Sequence, residues 1–407
     1  MNRNILLYPY FQFFRNLLFW QAIWFLYFES VVSASQAIIL IAIVDLSTVI
    51  LEIPSGYFSD YLGRRLTLII GLIASAAGCL LLFGATSFTA FAIAQILLGA
   101  GNAFVSGTDN ALLYDSLDAQ NRQSEFVKQE VRAWRYSYAA LAISAIAGGY
   151  LSSETYRPVY LITSLALIAA LGIIFLFREP THPQGHTRAA SPWRQMATVW
   201  SRIQDRTLFW ILAFSVSAYV LSHVPYVFAQ PYLKETLAKI GYAPDTPLIV
   251  GIIIAAMMVV SAMASAFILP LRKYLGTIGN LLIAMSMQIA LILMLAFLIH
   301  PAVVFLLVLR MVPDALSRPI ILEIIHPRIE SGYRATYLSL QNLLGRLALS
   351  GSLLLTAWLT SGTENIDETA LRTILPYYGA VGLIVLAILA MTAFKSLEPI
   401  EKSDDIA

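Results

Sequence analysis

The sequence predicts an all-α membrane protein with twelve transmembrane helices, arranged as two similar bundles of six. Of the 407 residues, 58% are hydrophobic and only 12% are charged, and the mean hydropathy is +0.73. An average soluble domain has about 25% charged residues, so a soluble chain of this composition could not cover its surface with polar groups. Lipid must therefore solvate much of the molecule.

The composition also excludes several classes of function. A net charge of +2 argues against a nucleic-acid-binding surface. The single cysteine, Cys79, lies in an apolar run, so neither a disulfide framework nor a thiolate metal cluster is expected. The sequence contains no phosphate-binding loop of ATP-driven pumps and no visible catalytic triad. We therefore expect no enzyme activity, no metal and no cofactor.

A membrane span needs about 20 mostly apolar residues. Twelve such runs occur, and we number them spans one to twelve: 9–31, 35–58, 67–86, 88–116, 126–152, 156–178, 206–232, 247–271, 277–299, 301–327, 333–360 and 372–395. The N-terminal segment lacks a small-residue cleavage site, and we interpret it as the first retained span.

These spans predict an N-terminal bundle (1–178), a linker (179–205), a C-terminal bundle (206–395) and a short tail (396–407). The linker sequence around Trp193 and Trp200 has the spacing of an amphipathic helix. Such a helix would lie in the cytoplasmic membrane interface or form a short soluble linker helix.

Charge bias predicts the orientation of the chain. With both termini inside, Lys and Arg are concentrated in the inner loops and tails and are rare in the outer loops. This bias places both termini in the cytoplasm. We expect a multi-pass monomer in a bacterial inner membrane, with the lipid bilayer, protons and a small-molecule substrate as its partners.

The two halves contain similar loop sequences. DYLGRRLTLIIGL (60–72) and KYLGTIGNLLIAM (273–285) align without gaps and share Tyr-Leu-Gly. Each segment follows the second span of its half, which predicts a duplicated six-helix unit.

The first of these loops, Gly56-x-x-x-Asp60-x-x-Gly63-Arg64-Arg65, resembles the signature loop of the major facilitator superfamily. Twelve spans in two halves and a central cytoplasmic loop fit the same family. The resemblance implies two six-helix bundles around one cavity and transport by alternating access. It also implies a charge network between this loop and an acidic residue at the inner end of span four, where this sequence has Asp115.

We call this network the cytoplasmic latch, and its expected members are Gly56, Asp60, Gly63, Arg64, Arg65 and Asp115. An ordinary positive-inside turn is the alternative. The second copy of the loop lacks the Asp and both Arg, so we expect a latch in the first half only.

Each latch position has a physical reason. Gly56 would let a neighbouring helix approach closely. Asp60 can place a carboxylate at the N-terminus of span three, where free N–H groups and the helix dipole favour an anion. Gly63 permits a tight turn, and Arg64 and Arg65 hold the loop on the cytoplasmic side.

Inserting a charged side chain at the bilayer centre costs about 2.5–3.5 kcal/mol. We therefore expect each charge inside a span to have a partner or a function. In span ten, Arg310, Asp314 and Arg318 are spaced i, i+4, i+8 and would share one helical face, and Pro313 and Pro319 break the hydrogen-bond ladder beside them. The family resemblance places that helix on the central cavity. Asp314 would then exchange a proton, or Arg310 would bind an anionic group. A static ion pair that holds span ten in place is the alternative.

Asp45 in span two has no opposite charge within one turn of its own helix. Arg346 of span eleven is its natural partner by depth, and the two are a second candidate for proton coupling or a structural pair. Asp109 is expected to pair with Arg132 or Arg135 of span five. Together with Glu52 and Arg318, these residues would form an inner gate network.

Two spans carry aromatic and polar side chains at helical spacing. These are Trp20, Gln21, Trp24 and Tyr27 in span one and Tyr219, His223 and Tyr226 in span seven. Because the family resemblance places both spans on the cavity, we expect these residues to contact the substrate. Ordinary helix packing is the alternative.

Marks of the drug exporters in this family are only partly present. Gln95 replaces an expected Arg in span four, and Ser144 and Ala145 replace Gly-Pro in span five. We expect a proton-coupled exporter of amphipathic small molecules. The alternative is a proton symporter that imports an organic anion, such as a siderophore-like or carboxylate compound, and the Arg residues inside the spans favour it. A non-transporting membrane receptor is a remote alternative. The sequence leaves the substrate, the direction and the stoichiometry open.

Overall fold

The computed structural model describes residues 2–179, 205–264, 267–329 and 331–404, with a few side chains in these ranges left undescribed. Within these ranges the chain forms helices and no strand. The spans are formed, in order, by Asn2–Arg15 with Trp24–Glu29, Ala34–Leu62, Arg64–Gly84, Phe88–Val105 with Thr108–Asp118, Phe126–Leu151, Pro158–Phe175, Arg206–Ala238, Thr246–Ala264, Ile268–Phe297, Pro301–Leu306 with Val312–Ile325, Ser331–Leu359 and Glu368–Asp404. The helix predicted around Trp193 and Trp200 lies outside the described residues.

Nine helical segments in the described part of the chain are long and apolar enough to cross a membrane. The other three predicted spans are one, five and ten. Spans one and ten are broken into shorter helices, and span five begins with several charged residues. These three spans therefore fall short of the criterion by helix length or by charge.

Local sequence signals set several helix starts. Ser33 and Gln36 form a reciprocal capping box at the start of span two, which satisfies N–H groups that have no partner inside the helix. Ser87 accepts a hydrogen bond from the backbone N–H of Ala90 at the start of span four.

The predicted internal duplication has a matching backbone feature. Gly63 has φ 96° and ψ 156°, and its counterpart Gly276 has φ 66° and ψ 180°. Side chains rarely tolerate such positive φ values, so glycine suits both positions. Gly63 separates spans two and three, and Gly276 breaks the helix Ile268–Phe297 at the predicted start of span nine.

The described helices divide into two compact units. The first contains residues 1–189 with 244–255 and 353–365, and the second contains the remaining segments. In the first unit, span three packs against spans four and six. Gly71 and Gly101 let spans three and four approach closely, since a Cβ on Gly101 would lie 2.9 Å from the carbonyl oxygen of Gly71.

The first unit also contains the beginning of span eight and the end of span eleven. A Cβ on Gly149 of span five would meet the carbonyl of Pro247, so glycine permits this contact. The N–H of Ala34 donates to the carbonyl of Glu364 at 2.9 Å. Span five thus holds the start of span eight, and span two holds the loop after span eleven.

In the second unit, spans seven, nine and twelve form much of the core. Trp210 Nε1 donates to the carbonyl of Leu389 at 3.1 Å. Tyr337 of span eleven donates its hydroxyl to the carbonyl of Leu208 at 2.6 Å. Both polar groups sit in the apolar core with their hydrogen bonds made, as burial requires.

Candidate functional site

The loop between spans two and three brings Arg64 to span four. Arg64 Nε lies 3.4 Å from Asp115 Oδ2, and Arg64 Nη1 donates to Ser59 Oγ at 2.8 Å. The predicted partner of Arg64 is therefore in place. The role of this pair as a latch stays a prediction.

The carboxylate at the start of span three comes from Glu179. Its Oε1 accepts from the backbone N–H of Arg64 at 2.6 Å and its Oε2 from that of Arg65 at 2.8 Å. An anion at this position is favoured by the unpaired N–H groups and the dipole of the helix. The sequence predicted Asp60 at this position. Glu179 was not predicted, because the one feature that sets it apart in the sequence is that it directly follows span six.

Arg65 makes the reciprocal contact with the end of span six. Its side chain donates to the carbonyls of Ile174 at 3.1 Å and Phe175 at 2.8 Å, which lie in the last turn of that span, where helix carbonyls lose their usual partners. The beginning of span three and the end of span six therefore cap each other. Asp60 lies in the last turn of Ala34–Leu62, and its side chain is outside the described residues.

The expected reason for Gly56 is wrong in this conformation. A Cβ on Gly56 would have no atom within 4 Å, and the residue is exposed. Gly56 lies in the C-terminal part of the helix Ala34–Leu62.

The second half also contains an ion pair near its copy of the loop, and the expectation of a latch in the first half only stays a prediction. Arg272 Nη1 lies 2.6 Å from Glu323 Oε2, which joins the segment before Gly276 to span ten. The alignment places Arg272 opposite Ser59, the residue that receives a hydrogen bond from Arg64. The positive charge in the second half thus comes from the position before the glycine, and the loop motif did not reveal it.

Asp109 pairs with span one, so the prediction that it pairs with Arg132 or Arg135 is wrong. Arg15 Nη1 lies 2.7 Å from Asp109 Oδ2, and Gln12 Nε2 donates to the same oxygen at 2.8 Å. Arg132 and Arg135 are exposed on span five. The first helix of span one ends at Arg15, which points this side chain at span four.

Further polar residues extend this cluster. Gln12 Nε2 also donates to the hydroxyl of Tyr8 at 2.9 Å, and that hydroxyl donates to Asn110 Oδ1 at 2.9 Å. Gly107 has φ 76° and restarts the span-four helix at Thr108, so Asp109 falls in its first turn. Breaks in both helices therefore bring these groups together inside the first unit.

The predicted cavity residues of span one lie in the interior of the first unit. Gln21 Nε2 donates to the carbonyl of Leu141 at 2.8 Å and to Ser144 Oγ at 3.1 Å. The hydroxyl of Tyr27 donates to the carbonyl of Leu82 at 2.7 Å. Trp24 is buried, whereas Trp20 is half-buried against the apolar core.

The predicted cavity residues of span seven form an aromatic column in which Tyr219 and His223 are stacked and Tyr226 meets His223 edge-on. The rings of Tyr219 and His223 lie 4.0 Å apart and are nearly parallel, and His223 Nδ1 is 2.7 Å from the carbonyl of Tyr219. The Tyr226 ring lies one turn further along, with the Arg310 guanidinium carbon 5.3 Å from its centroid. This distance is suitable for a cation–π contact.

Span ten is interrupted beside Pro313, where the sequence predicts a break in the hydrogen-bond ladder. A 3₁₀ turn at Leu307–Leu309 ends its first part, and an α-helix begins again at Val312. Pro313 stands next to the break and has no N–H to donate. Arg310 lies at the break and Asp314 beyond it, so the two side chains do not share one uninterrupted face.

As a result, the two charges are held by different helices. Arg310 Nη1 donates to the carbonyl of Ser222 in span seven at 3.2 Å. Asp314 Oδ1 accepts from Gln288 Nε2 of span nine at 3.2 Å. Among the described side chains, Arg310 and Asp314 form no direct ion pair. Gln288 was not predicted from the sequence, where its signal is an amide in an otherwise apolar stretch of span nine.

The remaining predicted residues occupy separate places. Asp45 is buried in span two, and Glu52 is half-buried further along the same helix. Arg346 is half-buried in span eleven, and Arg318 is exposed in span ten. The pairing of Asp45 with Arg346 stays a prediction.

Comparison with known proteins agrees with this architecture. The sequence matches the family model of the Major Facilitator Superfamily over residues 10–353. A comparison with curated protein sequences finds no match.

Two similar solved structures are those of transporters. The crystal structure of the nucleoside transporter NupG has a TM-score of 0.77 and 12% identity, and the match covers 96% of this chain and 99% of that one. The peptide transporter POT in complex with sulfate has a TM-score of 0.72 and 11% identity, with 95% and 94% covered. At such identities the likeness shows the fold alone. Together with the family match over most of the sequence, it shows that the chain belongs to the Major Facilitator Superfamily, a family of multi-pass membrane transporters.

Proposed function

We propose that this chain is a proton-coupled exporter of amphipathic small molecules in a bacterial inner membrane, with both termini in the cytoplasm. Membership of the family supports transport by alternating access. The arrangement around Asp314 supports proton coupling. The observation that carries the proposal is that Asp314 is held by the neutral side chain of Gln288 and not by Arg310.

A carboxyl group with an amide partner can change its protonation state without breaking an ion pair. An amide both donates and accepts hydrogen bonds, so Gln288 can serve the ionised carboxylate through Nε2 and the protonated acid through its oxygen. Ionisable groups in transmembrane segments commonly belong to proton or substrate pathways. We therefore assign proton exchange to Asp314 and leave Arg310 as a fixed positive charge.

The aromatic column of span seven supports an amphipathic substrate. Tyr219, His223 and Tyr226 are half-buried and combine apolar ring faces with polar atoms. A substrate with a ring or a short chain could stack against them. Tyr27 contributes no such surface, because it is buried and its hydroxyl is bonded to span three.

The ion pairs near the loops support a gating role. We assign Arg64 with Asp115, and Arg272 with Glu323, to charge networks that break and re-form during the transport cycle. The cluster of Asp109, Arg15 and Gln12 would belong to the inner gate. The pair of Asp45 and Arg346 remains our second candidate for coupling.

A second candidate function is proton-linked uptake of an organic anion. Arg310 favours it, because a guanidinium that is not neutralised by a direct ion pair with Asp314 can bind an anionic group. The two functions predict opposite relative directions of the proton and the substrate, and the second function also requires an anionic substrate.

Proteoliposomes with a pH-sensitive dye inside test both functions. Amphipathic cations and carboxylate anions are added separately to wild-type vesicles, with protein-free vesicles as the control. Proton movement against the direction of the added compound supports export by antiport. Movement of proton and anion in the same direction supports uptake. The absence of compound-dependent proton movement in the whole series would contradict proton coupling.

A further inference from the structure

A cavity of about 170 Å³ lies within the second unit, between spans seven, nine and ten. Its walls are mostly apolar and include Leu221, Leu291 and Leu306. The polar residues that line it are Ser222, Gln288 and Arg310. A pocket with apolar walls and a few convergent polar groups is typical of a small-molecule site.

Arg310 brings unused hydrogen-bond donors to this cavity. A guanidinium has five N–H donors. Within the described residues, the hydrogen bond of Arg310 to protein is the one from Nη1 to the carbonyl of Ser222. The cation–π contact with Tyr226 uses none of these donors. The cavity therefore presents a positive charge that can donate to a ligand.

Gln288 brings an unused acceptor. Its side chain is 3% exposed, and its Nε2 donates to Asp314. Its Oε1 is buried and has no hydrogen-bond partner among the described residues. Buried polar atoms are nearly always hydrogen-bonded, so an unpartnered oxygen beside a cavity points to a missing donor. The bond to Asp314 leaves Oε1 available to a ligand.

We propose that this cavity binds a small monocarboxylic acid that carries one ring or a short acyl chain. Arg310 would donate to the acid oxygens, and Gln288 Oε1 would accept the O–H of the protonated acid. The apolar walls would enclose the hydrophobic part. A cavity of about 150 Å³ holds one benzene ring, so the volume fits a one-ring compound.

Charge narrows the class of ligand further. The fixed charge of Arg310 disfavours an amine at the same place. Asp314, which is bonded to the other end of Gln288, disfavours a dianion such as a phosphate ester. A monoanion or its neutral acid satisfies both constraints. This inference names the substrate class of the proposed transporter. Binding of the acid does not depend on the proposed function, but its transport across the membrane does.

Equilibrium binding of radiolabelled benzoate to the purified full-length protein in nanodiscs tests the inference without any transport. We expect saturable binding that benzylamine does not displace. We expect Arg310→Met to weaken binding at least tenfold and Leu291→Phe, which fills the cavity, to weaken it similarly. Arg328→Met removes an Arg that bonds to a span-ten carbonyl outside the cavity, and it should bind like the wild type.

Three results would overturn the inference: no saturable binding to the wild type, equal displacement by benzylamine, or wild-type affinity in both cavity variants. The competition uses only wild-type protein, so it remains decisive if a variant fails to fold. If benzoate binds but no compound drives proton movement, the binding site is supported and the proposed proton coupling is contradicted. If amphipathic compounds drive proton movement but benzoate does not bind, the proton coupling is supported and the binding site is contradicted.

Discussion

The carboxylate of Glu179 occupies the space that a side chain on Gly63 would need. A Cβ on Gly63 would lie 2.7 Å from Glu179 Oε1, and the backbone of Gly63 has φ 96°. The signature loop therefore needs glycine for two reasons, the backbone conformation and the close approach of an anion that caps span three. Both reasons concern the contact between spans three and six.

Replacing Gly63 should destabilise the loop. We expect Gly63→Ala to cost about 1–3 kcal/mol, because a non-glycine residue is strained at this φ and its Cβ would displace Glu179. Thermal unfolding in detergent measures the loss. Gly56→Ala is the matched control, since its Cβ would meet no atom within 4 Å, and it should be at least as stable as the wild type because Ala is favoured over Gly inside a helix. Equal unfolding temperatures for the two variants would contradict this explanation.

Replacing one partner of the buried pair of Arg15 and Asp109 should destabilise the protein more than replacing both partners. Asp109 has 9% of its side chain exposed. Removal of one partner of a buried pair costs about 3–5 kcal/mol, whereas replacement of both partners by apolar residues is often close to neutral. We therefore expect Asp109→Leu or Arg15→Met alone to lower the unfolding temperature more than the double variant. A double variant whose loss equals the sum of the two single losses would show that the pair does not act as a unit.

The pair of Arg272 and Glu323 should contribute to gating more than to stability. Glu323 has 61% of its side chain exposed, and exposed ion pairs contribute only about 0–1 kcal/mol to stability. We expect Arg272→Glu and Glu323→Arg each to slow transport, and the combined charge swap to restore part of the rate. The same swap at Arg122 and Glu125 is the control. Unchanged transport in both single variants would remove this pair from the gate.

The loop pair of Arg122 and Glu125 should not make the protein sensitive to pH near neutrality. Hydrogen bonds from Arg122 lower the pKa of Glu125, so its contribution to folding is complete above the usual Glu pKa of about 4.3. That contribution is lost only as the pH falls through the lowered pKa in the folded state. We expect Glu125→Gln to leave the pH dependence of transport between pH 5 and 8 unchanged. A shifted pH profile of transport in this variant would show that the pair of Arg122 and Glu125 does contribute to pH sensitivity near neutrality.

The sequence predicted features that depend on local patterns. Span count follows from apolar runs, and the turns at Gly63 and Gly276 follow from a repeated motif. The partners of the charges were harder to predict, because they depend on contacts between distant segments. Arg15 and Asp109 are 94 residues apart, and the contact of Glu179 with Arg64 spans 115 residues.

The break in span ten had a different cause. Arg310, Asp314 and Arg318 are spaced for one helical face, and this spacing hides the 3₁₀ turn that separates Arg310 from Asp314. Pro313 predicted a break in the hydrogen-bond ladder, but not which helices the side chains on either side of it would contact. Periodicity describes a helix only where the helix is continuous, so the spacing could not show that Arg310 contacts span seven and Asp314 contacts span nine.

The central claim is that Asp314 couples transport to protons, and the Asp314→Asn variant in proteoliposomes tests it most directly. Two rates are measured for one transported compound: exchange across the membrane without any gradient, and compound-driven proton movement reported by an internal pH dye. Asp118→Asn, a loop-side carboxylate bonded to Gln123, is the matched control. Our account predicts that Asp314→Asn keeps exchange and loses proton movement, while the control keeps both. Proton movement at the wild-type rate in Asp314→Asn would contradict it.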